Sequence, residues 1–258
     1  MPTPKRRSPL DIFVEEGFDK EFLAEEPSLN PPPRFPPIIK ASTLCHGLPV
    51  EPAELVEGLL HQGSKLIYGG PSKSFKSWAL LDLSISVAAG VPWLGFNTVQ
   101  RPSLYVNLEL QDFAINKRIR AICSAKGIPV PTLFAVWNLR GHACPLDQLL
   151  PELLSQIEGE GYGLIVPDPI YKTLAGRDEN AAGDIGRVCN EIELLAVQTG
   201  AAVAFGAHFA KGDASKKESI DRIAGSGVFA RDPDSILVAT YHEEKDSLTI
   251  SATLRNFP

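Results

Sequence analysis

Short apolar runs alternate with amphipathic segments along most of the chain. The apolar runs predict strands over residues 64–70, 103–110, 133–139, 162–168 and 201–209. The segments between them predict helices over residues 75–89, 112–127, 146–158 and 180–199. Near-continuous apolar strands that alternate with helices are typical of an α/β fold with a mostly parallel, buried central sheet flanked by helices.

Two further strands are predicted near the end of the chain. They cover residues 234–241 and 247–257, and the polar sequence HEEKD separates them. So short a connection cannot hold a crossover helix, so we expect a late antiparallel strand pair beside the parallel sheet.

Proline sets the first part of the chain apart. Ten of the 22 prolines lie in the first 50 residues, and five of these fall within residues 31–37. Such a stretch favours extended backbone and cannot build a helix or a central strand. We therefore predict a proline-rich arm or linker over residues 1–44 and a folded core over residues 45–258.

Length, charge and cysteine content limit the classes of function that fit this sequence. The 258 residues carry a formal net charge of −6, which excludes a protein that coats nucleic acid or membrane through bulk positive charge. Apolar runs stay below the roughly 18 residues that a membrane span needs, and the basic start lacks the apolar segment of a secretory signal. The four cysteines have no close pairing and fit reduced thiols, so a cytoplasmic location is expected.

The strongest chemical signal is a candidate phosphate loop between the first strand and the first helix. Backbone amides of such a loop and of the first helical turn bind phosphate oxygens, and the helix dipole favours negative charge there. Lys76 would neutralise the β- and γ-phosphates, and the Ser77 hydroxyl would bind Mg²⁺. The predicted nucleotide-binding residues of the loop are Gly70, Pro71, Ser72, Lys73, Ser74, Phe75, Lys76 and Ser77.

One position departs from the G-x-x-x-x-G-K-[ST] pattern. Phe75 stands where glycine normally precedes the lysine, so we expect a negative φ at Phe75 and a ring that points away from the nucleotide. A turn that caps the helix by chance is the alternative, and Lys73–Ser74 offers a competing Lys-Ser pair.

Three further polar residues lie at or near predicted strand ends, where α/β proteins place ligands. Asp168 is a candidate acid for the nucleotide and Mg²⁺ site, although an aspartate before Pro169 also starts turns. Pro167 before it fits only a strand that is finishing. Glu109 could orient and deprotonate the attacking water, or it could simply face solvent. His208 could sense the γ-phosphate, although a lone histidine is more often a hydrogen-bonded core residue.

The loop after His208 carries several cations among its acids. The lysines could meet nucleic-acid phosphates, or the loop could be a solvated surface segment, and the small excess of positive charge leaves both interpretations open. The candidate DNA contacts are Lys211, Lys216, Lys217 and Arg222.

Together these motifs resemble the RecA-fold ATPases of the DnaB-type hexameric helicase group, and are most similar to compact RepA-like replicative helicases of plasmids, phages and mobile elements. The resemblance covers about residues 50–258. Its elements, in order, are GGPSKSFKSWALLDLSISVAAGVPWLGF, YVNLELQ, LIVPDPIYK with GRDEN, FGAHFAKG, and IAGSGVFARDPDSILV with LRNF. It implies a RecA-like P-loop NTPase core.

The resemblance also implies roles for individual residues. Lys76 and Ser77 match the nucleotide lysine and the Mg²⁺ ligand, and Asp168 matches the Walker B aspartate. Glu109 matches the catalytic glutamate, and His208 matches the sensor between γ-phosphate and DNA. Arg255 is the best match for an arginine finger given to the adjacent subunit. The rival fingers are Arg222 and Arg231.

Three functions follow as hypotheses. The first is a hexameric, Mg²⁺–ATP-dependent helicase or translocase that acts on single-stranded DNA and has its active sites between subunits. The second is a RecA-type ATPase switch in recombination regulation or phage defence that does not unwind DNA. The third is a nucleotide-binding structural protein without turnover.

Overall fold

The protein, represented here by a computed structural model, is described at residues 35–46, 51–174, 176–177, 181–208, 228–229 and 231–257. These residues belong to two compact units that divide between Val50 and Glu51. In the first unit, helix α1 (Ala41–His46) has no buried residue. The limits predicted from sequence for the arm and the core, 1–44 and 45–258, stay a prediction.

The second unit alternates strands and helices in the predicted order. Its described strands are β1 (Glu54–Val56), β2 (Leu60–His61), β3 (Lys65–Gly70), β4 (Ser103–Asn107), β5 (Phe134–Asn138), β6 (Leu164–Asp168), β7 (Ala202–His208), β8 (Ser235–Tyr241) and β9 (Leu248–Leu254). Its described helices are α2 (Lys76–Ala89), α3 (Asp112–Lys126), α4 (Leu146–Gln156) and α5 (Ala182–Thr199), with a 3₁₀ helix at Ile170–Thr173.

Within the described residues, seven strands form the main sheet, in the order β5-β4-β6-β7-β3-β8-β9. All neighbours in this sheet are parallel except β8 and β9, which pair antiparallel from Ser235–Leu254 to Tyr241–Leu248. The predicted α/β class, with a mostly parallel sheet and a late antiparallel pair, is confirmed. The short strands β1 and β2 form a separate antiparallel pair.

The order of the strands places polar residues together at one edge of the sheet. Parallel pairing sets Gly70 beside His208 and Asn107 beside Asp168. Strand β7 lies between β3 and β6, but the ladder between β6 and β7 stops at Ile165–Val203. Pro167 therefore follows the last paired residue on that side, and its missing N–H removes no bond from that ladder.

The core has one apolar cluster on each face of the sheet. Helices α4 and α5 cover one face, and α2 and α3 cover the other. Strand β6 shows the alternation, because Ile165 belongs to the first cluster while Leu164 and Val166 belong to the second. Both faces are covered, which explains why these strands are apolar almost without interruption.

A buried cation lies at the edge of the sheet opposite to Gly70. Lys65, the first residue of β3, is 6% exposed, and its ammonium group forms ion pairs with Asp232, at 2.8 Å, and Glu193. Burial acts to lower the pKa of Lys65, but the hydrogen bonds and charges of both carboxylates raise it above its ordinary value. This network joins β3 to α5 and to the segment that precedes β8.

Across the residues described here, no helix is both long and apolar enough to span a membrane.

Helix α5 offers a matched test of the packing, since Leu194 and Leu195 are neighbours with different surroundings. Leu195 is 1% exposed within the core cluster, whereas Leu194 is 46% exposed. We expect Leu195→Ala to lower the free energy of unfolding by about 2–5 kcal/mol, because it leaves a cavity. Leu194→Ala should change it by less than about 0.5 kcal/mol. Urea unfolding of both variants measures the difference, and equal effects would contradict the packing of this helix.

Candidate functional site

The predicted phosphate loop connects β3 to α2 and begins at Gly70, where neighbouring atoms leave little room for a side chain. An ideal Cβ at Gly70 would lie 2.6 Å from Ser74 Oγ and 3.3 Å from the carbonyl oxygen of Ala239. Ser74 Oγ in turn donates to the Pro71 carbonyl at 2.8 Å, which closes the turn. The end of β3 and the start of the loop are thus packed closely against each other.

Phe75 has a φ of 59° and a ψ of 20°, the left-handed conformation. The expectation of a negative φ was therefore wrong. The left-handed region costs a residue with a side chain roughly 1–2 kcal/mol, and the first helical hydrogen bond, from Ala79 N–H to the Phe75 carbonyl at 2.9 Å, helps to hold it. Phe75 is 63% exposed, so the loop does not have to pack around its ring.

Lys76 reaches back into the loop. Its Nζ donates to the carbonyls of Gly70, at 3.0 Å, and Pro71, at 2.6 Å. The side chain is 9% exposed, and burial lowers the pKa of Lys76 to about 8, although the charge of Asp168 acts in the opposite direction. The ammonium group thus lies at the centre of the loop, where a phosphate would supply stronger acceptors than the two carbonyls.

Asp168 is buried at the carboxyl end of β6. It is 4% exposed, and its carboxylate accepts hydrogen bonds from the hydroxyls of Tyr105 and Ser77. Burial raises the pKa of Asp168, and the two hydroxyls oppose that rise. A hydroxyl and a carboxylate in contact beside the loop supply the oxygen donors that Mg²⁺ prefers, so the residues fit that ion.

Glu109 lies two residues beyond the end of β4 and is exposed. The side chain of Asn107 holds the turn, because its Oδ1 accepts from the N–H groups of Glu109, at 3.4 Å, and Leu110, at 2.9 Å. The Tyr171 hydroxyl donates to Glu109 Oε2 at 3.4 Å. A carboxylate in this position has access to water and stands at the same edge of the sheet as Asp168.

His208 is the last residue of β7, the strand between β3 and β6. Its ring lies 6.1 Å, between centroids, from that of Tyr171, which also contacts Glu109. His208 therefore lies between the phosphate loop and the acidic side of the site, which is a suitable place for a group that responds to a bound phosphate.

These side chains line one cavity of about 510 Å³. The structure brings together Lys76, Ser77, Glu109, Asp168 and His208, as the sequence predicted for a single site, together with residues 72–75 of the loop. Their roles within it stay predictions. The cavity is large enough for a bound small molecule.

Sequence reasoning missed Arg118, which lines this cavity, and Tyr105, which contacts Asp168 without lining it. Arg118, on α3, lies with its guanidinium carbon 5.0 Å from the ring centroid of Trp78, and its charge favours the ionised form of Asp168. Tyr105 was treated only as part of an apolar strand. The available signal was weak: a tyrosine inside such a strand needs a partner for its hydroxyl, and a polar strand end is the nearest source of one.

The candidate fingers Arg255 and Arg231 lie away from this cavity. Arg255 follows β9, whose end pairs with the start of β8, and its guanidinium donates to the Arg231 carbonyl. Both are therefore at the edge of the sheet where β3 begins, opposite to the phosphate loop of the same chain. A finger acts on the adjacent subunit, so the assignment stays a prediction. The rival Arg222 and the candidate DNA contacts Lys211, Lys216 and Lys217 lie outside the described residues.

Comparisons with known proteins bear on the family and the fold of the chain. The sequence model of the AAA domain family matches residues 31–214. Among solved structures, a KaiC-like protein from the hyperthermophilic archaeon Pyrococcus horikoshii OT3 matches with a TM-score of 0.52 and 14% sequence identity. The match covers 79% of this chain and 83% of that protein, and it confirms the predicted RecA-like P-loop fold. No curated protein sequence matches the chain.

The low pKa of Lys76 predicts how phosphate binding depends on pH. Below pH 8 the Lys76 side chain is protonated and can pair with a phosphate. Above pH 8 the free protein has lost this proton, so ADP binding requires Lys76 to take up a proton and becomes weaker. We expect the affinity for ADP, measured by calorimetry without metal, to be about tenfold weaker at pH 9 than at pH 7. Lys76→Met should bind weakly at both pH values. A wild-type affinity that stayed constant to pH 10 would contradict the low pKa.

Proposed function

Since the chain belongs to the AAA domain family and has the fold of a RecA-like P-loop ATPase, we propose that it is a Mg²⁺–ATP-dependent motor. In this proposal six copies form a ring that moves on single-stranded DNA, as a helicase or translocase of a plasmid, phage or mobile element in the cytoplasm. The observation that carries the ATPase part is the single cavity shared by Lys76, Ser77, Asp168 and Glu109.

The phosphate loop supplies the binding step. Amides at the start of α2 and the ammonium group of Lys76 bind the phosphates, with Lys76 exchanging the carbonyls of Gly70 and Pro71 for phosphate oxygens. This exchange also favours the charged form of Lys76, which burial alone disfavours. The nucleotide is ATP in this proposal.

Ser77 and Asp168 would hold Mg²⁺, which fits their oxygen donors and their mutual hydrogen bond. When bound, the ion would neutralise charge on the phosphates. Asp168 contributes most as an anion, and the hydroxyls of Ser77 and Tyr105 together with the charge of Arg118 oppose the protonation that burial favours.

Glu109 acts as the base in the hydrolytic step. Its carboxylate accepts a proton from the attacking water, and the water oxygen forms a bond to the γ-phosphorus as the bond to the leaving ADP oxygen breaks. The Tyr171 hydroxyl orients one carboxylate oxygen, and the Asn107 side chain fixes the turn that carries Glu109. Arg255 of a neighbouring copy, or a rival arginine, would stabilise the charge that develops on the γ-phosphate.

The motor part of the proposal rests on the resemblance to hexameric helicases. His208 lies at the end of β7, directly before the cationic loop, so a contact with γ-phosphate could be passed to residues that touch DNA. The proposal includes contacts between DNA and Lys211, Lys216, Lys217 or Arg222. A proline-rich arm over residues 1–44 and a core over 45–258 are also part of it.

A second candidate function is an ATPase switch that assembles or signals without unwinding DNA. The net charge of −6 favours it, because it gives no general attraction to a polyanion. The departure from the phosphate-loop pattern at Phe75 is compatible with a slower cycle.

DNA-stimulated hydrolysis separates these two functions. We expect purified protein to hydrolyse ATP faster with single-stranded DNA and to displace a labelled strand from a forked duplex, because the motor couples both events. Lys76→Ala, which removes the ammonium group, should do neither. ATP hydrolysis that single-stranded DNA does not stimulate would contradict the motor. Together with nucleotide-dependent assembly in size-exclusion chromatography and no unwinding at any salt concentration, it would support the switch instead.

Removal of the base should separate binding from turnover. We expect Glu109→Gln to lower the rate of ATP hydrolysis by about 10²-fold or more, because an amide cannot accept the proton, while the protein still retains bound ATP. Glu160→Gln, an exposed glutamate outside the cavity, is the matched control and should keep the wild-type rate. Turnover and retained nucleotide are measured by phosphate release and filter binding. Unchanged turnover in Glu109→Gln would exclude Glu109 as the base.

A further inference from the structure

The hydroxyl of Tyr105 is committed to the carboxylate of Asp168. Tyr105 lies on β4 and is fully buried, and its hydroxyl donates to Asp168 Oδ2 at 2.5 Å. Strands β4 and β6 are neighbours in the sheet, and Tyr105 is in register with Val166, two residues before Asp168. The phenol therefore reaches along the adjacent strand to its carboxyl end. A phenylalanine would fill the same space, so packing alone does not require the hydroxyl.

The other sides of the carboxylate are also fixed. The Ser77 hydroxyl hydrogen bonds it from the first turn of α2. Its Oδ1 lies 3.5 Å from the position that a Cβ at Gly206 would occupy, so this glycine of β7 lies directly beside it. The backbone is held as well, since the N–H of Leu108 donates to the Asp168 carbonyl at 3.0 Å. Because the Tyr105 hydroxyl donates to Oδ2, rotation of the carboxylate about the Cβ–Cγ bond of Asp168 would break a buried hydrogen bond.

We propose that Tyr105 is a positioning residue for the divalent cation of the site: its hydroxyl holds the Asp168 carboxylate in the orientation that receives the cation beside Ser77. This inference rests on the proposed function. It assigns Tyr105 a role that does not involve contact with nucleotide, water or the cation itself. Donors that orient a metal-binding carboxylate contribute to metal affinity through that carboxylate, and their loss typically weakens it by about 10–100-fold.

The test compares cation affinity in two tyrosine variants. The probe is Mn²⁺, whose free concentration is read by electron paramagnetic resonance as it is titrated into protein saturated with ADP. We expect Tyr105→Phe to weaken Mn²⁺ binding by about tenfold or more, since the carboxylate loses its orienting donor. Tyr68→Phe, at a buried tyrosine of β3 whose hydroxyl makes no hydrogen bond to Asp168, is the matched control and should keep the wild-type affinity.

A second measurement separates this role from a role in folding or in nucleotide binding. ADP affinity in the presence of EDTA should be the same, within about twofold, for wild type and Tyr105→Phe, because the phosphates bind to the loop and not to Tyr105. Equal Mn²⁺ affinity in wild type and Tyr105→Phe would overturn the assignment. Loss of metal-free ADP binding in Tyr105→Phe would also overturn it, because the hydroxyl would then support the fold. If wild-type protein bound no Mn²⁺ together with ADP, the proposed function itself would fail.

Discussion

The carboxylate of Asp168 is buried at the carboxyl end of its strand, and the hydroxyls of Ser77 and Tyr105 bind it there. A buried carboxylate is unfavourable unless donors reach it, so the first turn of α2 and the strands β4 and β6 have to keep one relative arrangement. Strand β7 sets the distance between β3 and β6, and Gly206 leaves room for the carboxylate beside it. The rest of the cavity is built around this contact.

The edge of the sheet where β3 begins, opposite to the edge that carries Asp168, is polar for a different reason. Asp234 binds the start of β3 through its side chain, which accepts from the Lys65 N–H at 2.9 Å, and through its own N–H, which donates to the Lys65 carbonyl. Its carbonyl accepts from the N–H of Arg255. Together with the ion pairs of Lys65, these bonds fix β3, β8 and the end of β9. One end of β3 is thus held by partners within the chain, while the other end leads into the loop that we propose binds phosphate.

The sequence was sufficient for the strands of the main sheet, for the helices between them and for the polar residues predicted to share one site, because their signals are local. Apolar runs located the strands of the main sheet, and a strand followed by a short polar loop and a helix located Lys76 and Ser77. Strand ends located Asp168 and His208. The order of the strands was not predicted, because long-range contacts decide it. The pair β1–β2 is local, with partners such as Val56 and Leu60, but its strands of three and two residues are too short to give a periodic signal. Tyr105 and Arg118 were missed for the same reason: their partners lie on other elements, 63 residues away for the hydroxyl of Tyr105.

The two ends of the phosphate loop obey different physical requirements. At Gly70 the requirement is steric, since a Cβ would lie 2.6 Å from Ser74 Oγ and 3.3 Å from the Ala239 carbonyl oxygen, so a side chain there would require these neighbours to shift. At Phe75 the requirement is only torsional, and a residue with a side chain can meet it at the cost of some backbone strain. A motif search that demands glycine before the lysine would therefore overlook this chain. A search that demands a glycine at the end of a buried strand, a five-residue turn and a lysine at the start of a helix would find it.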